Sequence, residues 1–515
     1  MFVLLFSGLK AQISQFQVAI DSGAQEGLSI VQTKDGGYAV GGIYYNSTTR
    51  HDFFIIRFDS IGNIKWAKNI GGLNEDEANC MIQTKDGGFV LAGWTLSFGS
   101  GSYDFLVVKL DSVGDLKWTR TIGGKGSEYC YSIVQTWDGG YALSGSTNSY
   151  GNGVYVVKLD SVGNLKWTKT IDGGTGWSMI QTKDSGYAIT GYTNVYGADA
   201  GSGNNVYVIK LDSKGNLSWS KAIGGTKGEM GFSIIQASDG GYAITGSTVS
   251  YALGNNSKSD VYLVKLDALG VLKWTRTIGG YNSDVGNSII QSKDGGYTIA
   301  GSTSSYGPGS SDVYVIKLDS VGTLKWTKTV GGTNSDAGLS IIQTKDEGYA
   351  VSGISNSYGG VYIIKFDSIG GTCEAVVSDS GMVGSGGGEV NGGVIISSDS
   401  GIVSSGGIIT DAKATEHMLC RVVASVHDIN NSQNKVELYP NPSKGVFAVS
   451  VQVVNQKVKF IVYNELGEII NTETLKVSIG DNPIDISCHP SGVYYYRIVS
   501  EKGECIANGK FVIAK

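Results

Sequence analysis

The stretch NSIIQSKDGGYTIAGSTSSYGPGSSDVYVIKLDSVGTLKWTKTVGG, Asn287 to Gly332, decides the fold. Its turn residues divide it into four short β-branched and aromatic runs, named here strands a (SIIQ), b (YTIAGST), c (VYVIKLD) and d (LKWTKTV). Lys-Asp-Gly-Gly joins a to b, and its glycines supply the positive φ values that a tight hairpin needs. Ser-x-Gly-x joins c to d, so the four runs form one antiparallel meander. Strand c is apolar on both alternating sets, Val313 and Val315 against Tyr314, Ile316 and Leu318. Both faces of the sheet must therefore be covered.

Working outward, the same unit recurs along most of the chain. DGG followed by Tyr or Phe, or a close variant, begins at Asp35, Asp86, Asp138, Asp184, Asp239, Asp294 and Asp346, a period of 46 to 55 residues. A Trp recurs in strand d at Trp66, Trp118, Trp167, Trp219, Trp274 and Trp326. A sheet buried on both faces and repeated at a fixed period predicts an all-β fold, a seven-bladed β-propeller over residues 16–371. Seven a-b-c sets are present but only six Trp-bearing d strands, because the last set ends at Phe366-Asp367-Ser368-Ile369-Gly370-Gly371. Phe16-Gln17-Val18-Ala19-Ile20-Asp21 matches the d pattern with Phe16 in the Trp place. This N-terminal strand is expected to complete the last blade and close the ring by backbone hydrogen bonds.

The stretch LDSVGTLKW, with Gly322 four residues before Trp326, resembles the tryptophan-docking motif of quinoprotein-type and related bacterial propeller repeats. The resemblance covers residues 16–371 and implies that each Trp packs on the turn glycine of a neighbouring blade. It is also similar to the Asp-box of sialidases, whose Asp, Gly and Trp are more tightly spaced. A fold of this kind hosts many unrelated activities, so the resemblance implies architecture and no reaction.

Bulk composition agrees. Gly at 77 of 515 residues with only 5 Pro and 28 Tyr describes short strands and tight turns. A net charge of −6 is a mild imbalance that argues against a nucleic-acid partner. Residues 2–9 (FVLLFSGL) form an apolar run of signal-peptide length, and Leu9-Lys10-Ala11 resembles a cleavage site, so residues 1–11 are expected to direct export. The basic residues that should precede the run are missing, which leaves a start upstream of Met1 or a buried strand as alternatives. No later stretch approaches the ~20 apolar residues of a transmembrane helix. Six Cys are present: Cys80 and Cys130 near the starts of corresponding strands, Cys373 and Cys420 bracketing one segment, Cys488 and Cys505 near the end. Free thiols and disulfides are both compatible with this spacing, and zinc is not.

From 372 to 435 the chain turns Gly/Ser-rich and reads as a linker; its alternating Val and Ile permit short stacked strands stapled by Cys373 and Cys420, with disorder as the alternative. Residues 436–515 alternate through about seven strands, as a small β-sandwich would. They strongly resemble the C-terminal sorting domain of proteins exported by the type IX secretion system of Bacteroidetes. The matching residues are Tyr439-Pro440-Asn441-Pro442 with Gly445 and Phe447, Tyr463-Asn464 with Gly467, Ile486-Ser487, Pro490-Ser491-Gly492-Val493-Tyr494, and Lys510-Phe511. The resemblance implies the type IX machinery as partner, passage across the outer membrane, removal of the tail, and surface attachment or release. Cys488 and Cys505 depart from the usual pattern and suggest a local disulfide.

Residues 16–371 hold one His, His51, and four Arg. That excludes a multi-imidazole metal site, and it argues against a Ser/His/Asp triad and an Arg-lined sialidase site. His51 is read as a solvated residue in the loop before strand c. Meander topology puts the d-a and b-c loops on one face. An acid stands ten residues before the DGG Asp at Asp76, Glu128, Glu229, Asp284 and Asp336, and a Tyr opens the b-c loops at Tyr150, Tyr196, Tyr251, Tyr306 and Tyr358. Tyr beside carboxylates suits sugar rings or cations. Features repeated in every blade also build blades, as caps and packing groups. Asp59-Ser60-Ile61, Asp111-Ser112-Val113, Asp160-Ser161-Val162, Asp319-Ser320-Val321 and Asp367-Ser368-Ile369 resemble the O-glycosylation acceptor of Bacteroidetes and are equally good turn chemistry. The expected function is a monomeric, noncatalytic, cofactor-free surface propeller that binds glycan or protein through this face. A polysaccharide hydrolase or lyase and a structural surface-layer protein are the alternatives.

Overall fold

The structure is a computed structural model describing residues 12–20, 24–46, 50–197, 203–254, 257–372, 382–384, 388–391, 395–398, 402–404, 408–411, 416–424, 435–439, 443–452, 458–464, 469–475, 482–500 and 505–514. The proposed signal peptide, 1–11, lies outside them. All regular structure among the described residues is β-strand. The chain divides into two compact units, one of them Ile13–Val422 and the other holding Val423–Lys515.

In the first unit, consecutive strands form seven antiparallel sheets in the order a-b-c-d. Their a strands begin at Ala24, Asp76, Glu128, Thr175, Glu229, Asp284 and Asp336, and the sheets are numbered here in that order. The fourth strand of sheet 7 comes from the N-terminus: Gln12–Ile20 pairs antiparallel with Val361–Phe366, with Phe16 opposite Lys365. Trp326 stands opposite Lys317, and Trp118 opposite Lys109, so Phe16 occupies the Trp register. Strand c is buried along its whole length in sheets 2 to 7, as its two apolar sets require.

Three repeated contacts bind each sheet to the next. Strand-d rings lie over the turn glycine of the following sheet, Trp274 over Gly322 and Phe16 over Gly62 among them. At φ +82° Gly322 holds a left-handed turn that only glycine adopts freely, and a Cβ there would meet the Trp274 ring at 2.9 Å. The same rings meet the aromatic of the DGG motif edge-on, Trp118 on Tyr141 and Phe16 on Tyr38. At the a-b turns, backbone N–H groups of Lys34, Lys85, Trp137, Lys183, Ser238, Lys293 and Lys345 donate to Gln83, Gln135, Gln181, Gln236, Gln291, Gln343 and Gln32 at 2.8–3.2 Å. The last of these links sheet 7 back to sheet 1. Within each turn the DGG Asp accepts from a buried strand-c cation, as in Lys317–Asp294 at 2.8 Å.

The Gly/Ser-rich segment departs from the linker reading. Met382–Gly384, Gly388–Asn391, Ile395–Ser398, Ile402–Ser404 and Ile408–Asp411 add a fifth strand to the outer edge of sheets 5, 4, 3, 2 and 1, in reverse chain order. Glu416–Ala424 then lies beside Gln12–Ile20 of sheet 7. The five strands between 382 and 411 start six or seven residues apart, a reach of ~20–23 Å at ~3.3 Å per residue, enough to step from one sheet edge to the next. Cys420, in the last of these strands, is disulfide-bonded, while Cys373 lies outside the described residues.

Among the described residues the C-terminal unit carries seven strands in two sheets, one of Lys435–Tyr439, Val446–Gln452 and Asn482–Asp485, the other of Ile469–Leu475, Val458–Tyr463, Gly492–Ser500 and Cys505–Ile513. Phe447, Val449 and Ile484 of the first pack against Phe460, Tyr494 and Phe511 of the second. Tyr494 also donates to the Pro490 carbonyl at 2.8 Å. Gly445 takes φ +99°, where a Cβ would lie 2.5 Å from the Ser487 Cα. Tyr439 and Lys510 are exposed, and Pro440, Asn441 and Pro442 lie outside the described residues. Cys488 is a free, exposed thiol, so the expected local disulfide with Cys505 is not formed.

Candidate functional site

The acids that open the a strands lie inside the fold. Asp76, Glu128, Glu229 and Asp284 are fully buried and Asp336 nearly so. Each accepts from the backbone N–H of a glycine in the preceding d-a loop, at 2.7 Å for Gly72, Gly124 and Gly225 and 2.8 Å for Gly280 and Gly332. Each also accepts from a hydroxyl at the b-c loop: Thr95, Thr147, Thr248, Ser305 and Ser357. The carboxylates thus tie the two loops together, which is why acids recur there.

Their neighbours are other acids. Asp104 faces Glu128, Asp260 faces Asp284, and Asp312 faces Asp336 across glycines 123, 279 and 331, where no Cβ would fit. Burial pushes the Asp104, Asp260 and Asp312 carboxyls up to about 6, and the facing acids add to the rise. Sheet 4 carries Asn205 in this place.

The loop tyrosines are half-buried packing groups. Tyr150, Tyr251 and Tyr306 donate to the carbonyls of Gly123, Gly224 and Gly279 at 2.6, 3.1 and 2.8 Å, and Tyr196 donates to Asp172 at 3.1 Å. Tyr150, Tyr196, Tyr251, Tyr306 and Tyr358 pack against Tyr155, Tyr207, Tyr262, Tyr314 and Tyr362, with ring centroids 5.5–6.1 Å apart, stacked in Tyr251–Tyr262 and tilted in the other four. All ten residues share the d-a/b-c side, but their polar groups serve the loops.

A different set of residues on the same side breaks the repeat. Trp94 meets Tyr103 at 4.8 Å and Tyr129 at 5.9 Å, and Tyr103 meets Tyr129 at 5.0 Å. Trp177 meets Tyr192 at 4.8 Å and stacks on Phe232 at 4.9 Å. Trp94 and Tyr192 stand opposite Glu77 and Thr175; in sheets 5, 6 and 7 the same strand-b position is Ser247, Ser302 and Ile354. The aromatic groups therefore form an arc over the inner strands of sheets 2 to 5.

His51 sits at one end of this arc. It lies within the strand Arg50–Phe58 rather than in a loop, half-buried, with its Nδ1 2.6 Å from Glu77 Oε1 of the next sheet and its ring 5.5 Å from Tyr45. The solvated-loop reading is corrected by this pairing. Burial raises the Glu77 carboxyl, His51 opposes the rise, and Glu26 and Glu75 add to it. Burial likewise raises Glu26, again opposed by His51. Burial pushes Tyr131 up to about 12, with Tyr192 and Tyr129 adding to the rise. The sequence signal for this arc is asymmetry among repeats, which a search for recurring residues passes over. No group of three or more metal-ligating side chains occurs among the described residues, and no helix there is long and apolar enough to cross a membrane.

Residues 437–514 match the secretion system C-terminal sorting domain family. The chain is exported by type IX secretion to the cell surface or extracellular space, and the tail is removed. The regulatory protein FlaEY of Caulobacter vibrioides is 30% identical over 117 residues, covering 21% of this chain. The chain spans only 12% of the length of that relative. Among solved structures, the extracellular domain of a putative one component system from B. thetaiotaomicron aligns over 97% of this chain and 58% of its own, at 11% identity and TM-score 0.39. An endo-1,5-alpha-L-arabinanase from Thermotoga petrophila aligns over 68% of this chain and 100% of its own, at 11% identity and TM-score 0.27. Neither likeness transfers an activity.

Proposed function

We propose that Ile13–Val422 is a seven-bladed β-propeller carried to the cell surface to bind carbohydrate, without catalysis, through its d-a/b-c face. The observation that carries this reading is the arc of Trp94, Tyr103, Tyr129, Trp177, Tyr192 and Phe232, because residues outside the repeat are not needed to build it. Aromatic faces stack on the apolar faces of sugar rings, and the Glu26 and Glu77 carboxyls beside them accept hydrogen bonds from sugar hydroxyls. Tyr150, Tyr196, Tyr251, Tyr306 and Tyr358 form the outer part of the same recognition face, on loops whose lengths vary between sheets.

Binding of the exported protein to a glycan array, followed by titration with the best hit, tests the reading. Trp94→Ala or Tyr129→Ala should weaken affinity at least ~10-fold with an unchanged melting profile, while Ile354→Ala at the matching position of sheet 7 should not. Unchanged affinity in both arc variants refutes the site. Release of soluble products from a polysaccharide panel would replace the noncatalytic reading with the hydrolase or lyase alternative.

A further inference from the structure

Cys80 and Cys130 are free thiols on the inner strands of adjacent sheets. Both pack in one apolar cluster between sheets 2 and 3, Cys130 fully buried and Cys80 at its margin. The Cys130 thiol donates to the Ser132 carbonyl at 3.7 Å and the Cys80 thiol to the Ala92 carbonyl at 3.4 Å, and the nearby Cys80 side chain adds to the rise that burial gives the Cys130 thiol. Their strands are held side by side by the Asn79 Nδ2 amide, which donates to the Cys130 carbonyl at 2.8 Å.

These residues depart from the repeat in a coordinated way. The Cys80 position is Ser29, Ser132, Ser178, Ser233, Ser288 and Ser340 in the other sheets. The Cys130 position is glycine in sheets 1, 4, 5, 6 and 7, and Ala78 in sheet 2. At Gly231 and Gly286 a Cβ would meet Thr190 Oγ1 and Thr245 Oγ1 at 2.5 and 2.4 Å. The strand-b residue opposite Cys80 is Ala92, which has no hydroxyl. Space for a larger side chain at 130 therefore coincides with a second sulfur at 80.

We propose that Cys80 and Cys130 form a disulfide that ties sheet 2 to sheet 3 in the exported protein. No other covalent link joins these sheets among the described residues except the backbone between them, and export takes the chain into an oxidising setting. The oxidant is a small or protein disulfide. The Cys80 thiolate, the more exposed sulfur, attacks it to give a mixed disulfide and one released thiolate. Cys130 then loses its proton to water and attacks Cys80 Sγ, expelling the second thiolate, so two thiols are oxidised as one disulfide is reduced. Burial raises the Cys130 thiol, which makes the second step slow in the folded protein.

Incubating the purified full chain with oxidised glutathione, then alkylating under denaturing conditions and peptide mapping, tests this. A cross-linked pair of peptides carrying Cys80 and Cys130, two hydrogens lighter than their sum, is expected, with a melting midpoint a few degrees above the dithiothreitol-treated protein. Cys80→Ser installs the side chain of the other six sheets, so it should fold while losing the cross-link and showing a smaller difference in midpoint than the native chain, the remainder coming from the Cys420 disulfide that dithiothreitol also reduces. Cys488→Ser should retain both. Separate alkylation of Cys80 and Cys130, or a glutathione adduct that persists on Cys80, overturns the proposal.

Discussion

Replacing Asp260 by Asn should stabilise the unit Ile13–Val422 at neutral pH and leave it unchanged near pH 4. Asp260 is fully buried, accepts from the Leu253 N–H at 2.6 Å and faces Asp284. Burial, with Asp284 adding to it, lifts its carboxyl from 3.8 to about 6. A folded value above the unfolded one favours the native state below about pH 4, and that contribution is lost as pH rises through 6. The full gap corresponds to ~3 kcal/mol at ~1.36 kcal/mol per pH unit, and local relaxation leaves ~1–3 kcal/mol. The amide keeps an oxygen for Leu253 and turns an N–H towards Asp284, whereas Asn205 at the same place in sheet 4 donates to the Tyr196 carbonyl at 3.3 Å. For a unit of this size the midpoint should rise by ~1–4 °C at pH 7.5. Thermal melts of the native chain and of D260N from pH 4 to 8 check it. A difference independent of pH, or native stability that climbs between pH 4.5 and 7, refutes the reasoning.

Acid should act through different carboxyls: burial works against Asp86 and Asp138, but hydrogen bonds from their turns and from Lys109 and Lys158 outweigh it and hold both near about 2. Their contribution is present above pH 3.8 and lost as pH falls towards 2, so a second decline in the melting midpoint is expected there. Asp294→Ala, which strips the partner from buried Lys317, should cost ~3 kcal/mol, whereas Lys317→Met should cost far less because Asp294 is exposed; chemical denaturation compares them. Phe16→Ala, emptying the ring that joins sheet 7 to sheet 1, should cost ~3–5 kcal/mol by the same measurement. Deleting residues 382–411 opens the outer edges of five sheets, and light scattering should then detect association that the full chain does not show.

The sequence was most informative where the physics is local. Turn glycines, strand alternation and the Trp register determine each meander, because hairpin register follows from the turn and a one-residue slip would invert every face. That is also why Phe16 could be matched to the Trp position across more than three hundred residues. The sorting domain was legible for a similar reason, through specific residues at turns and core positions. Tertiary structure alone decided the rest. Asp76 and its counterparts are polar and recur on loop sides, yet the neighbouring sheet removes them from water and gives them acids for company. The strands between 382 and 411 have no hairpin turn to announce a partner, since each pairs with an edge that lies far away in sequence and in reverse order. Trp94, Tyr129, Trp177 and Phe232 are scattered residues in the chain, and they become an arc only because the inner strands stand side by side.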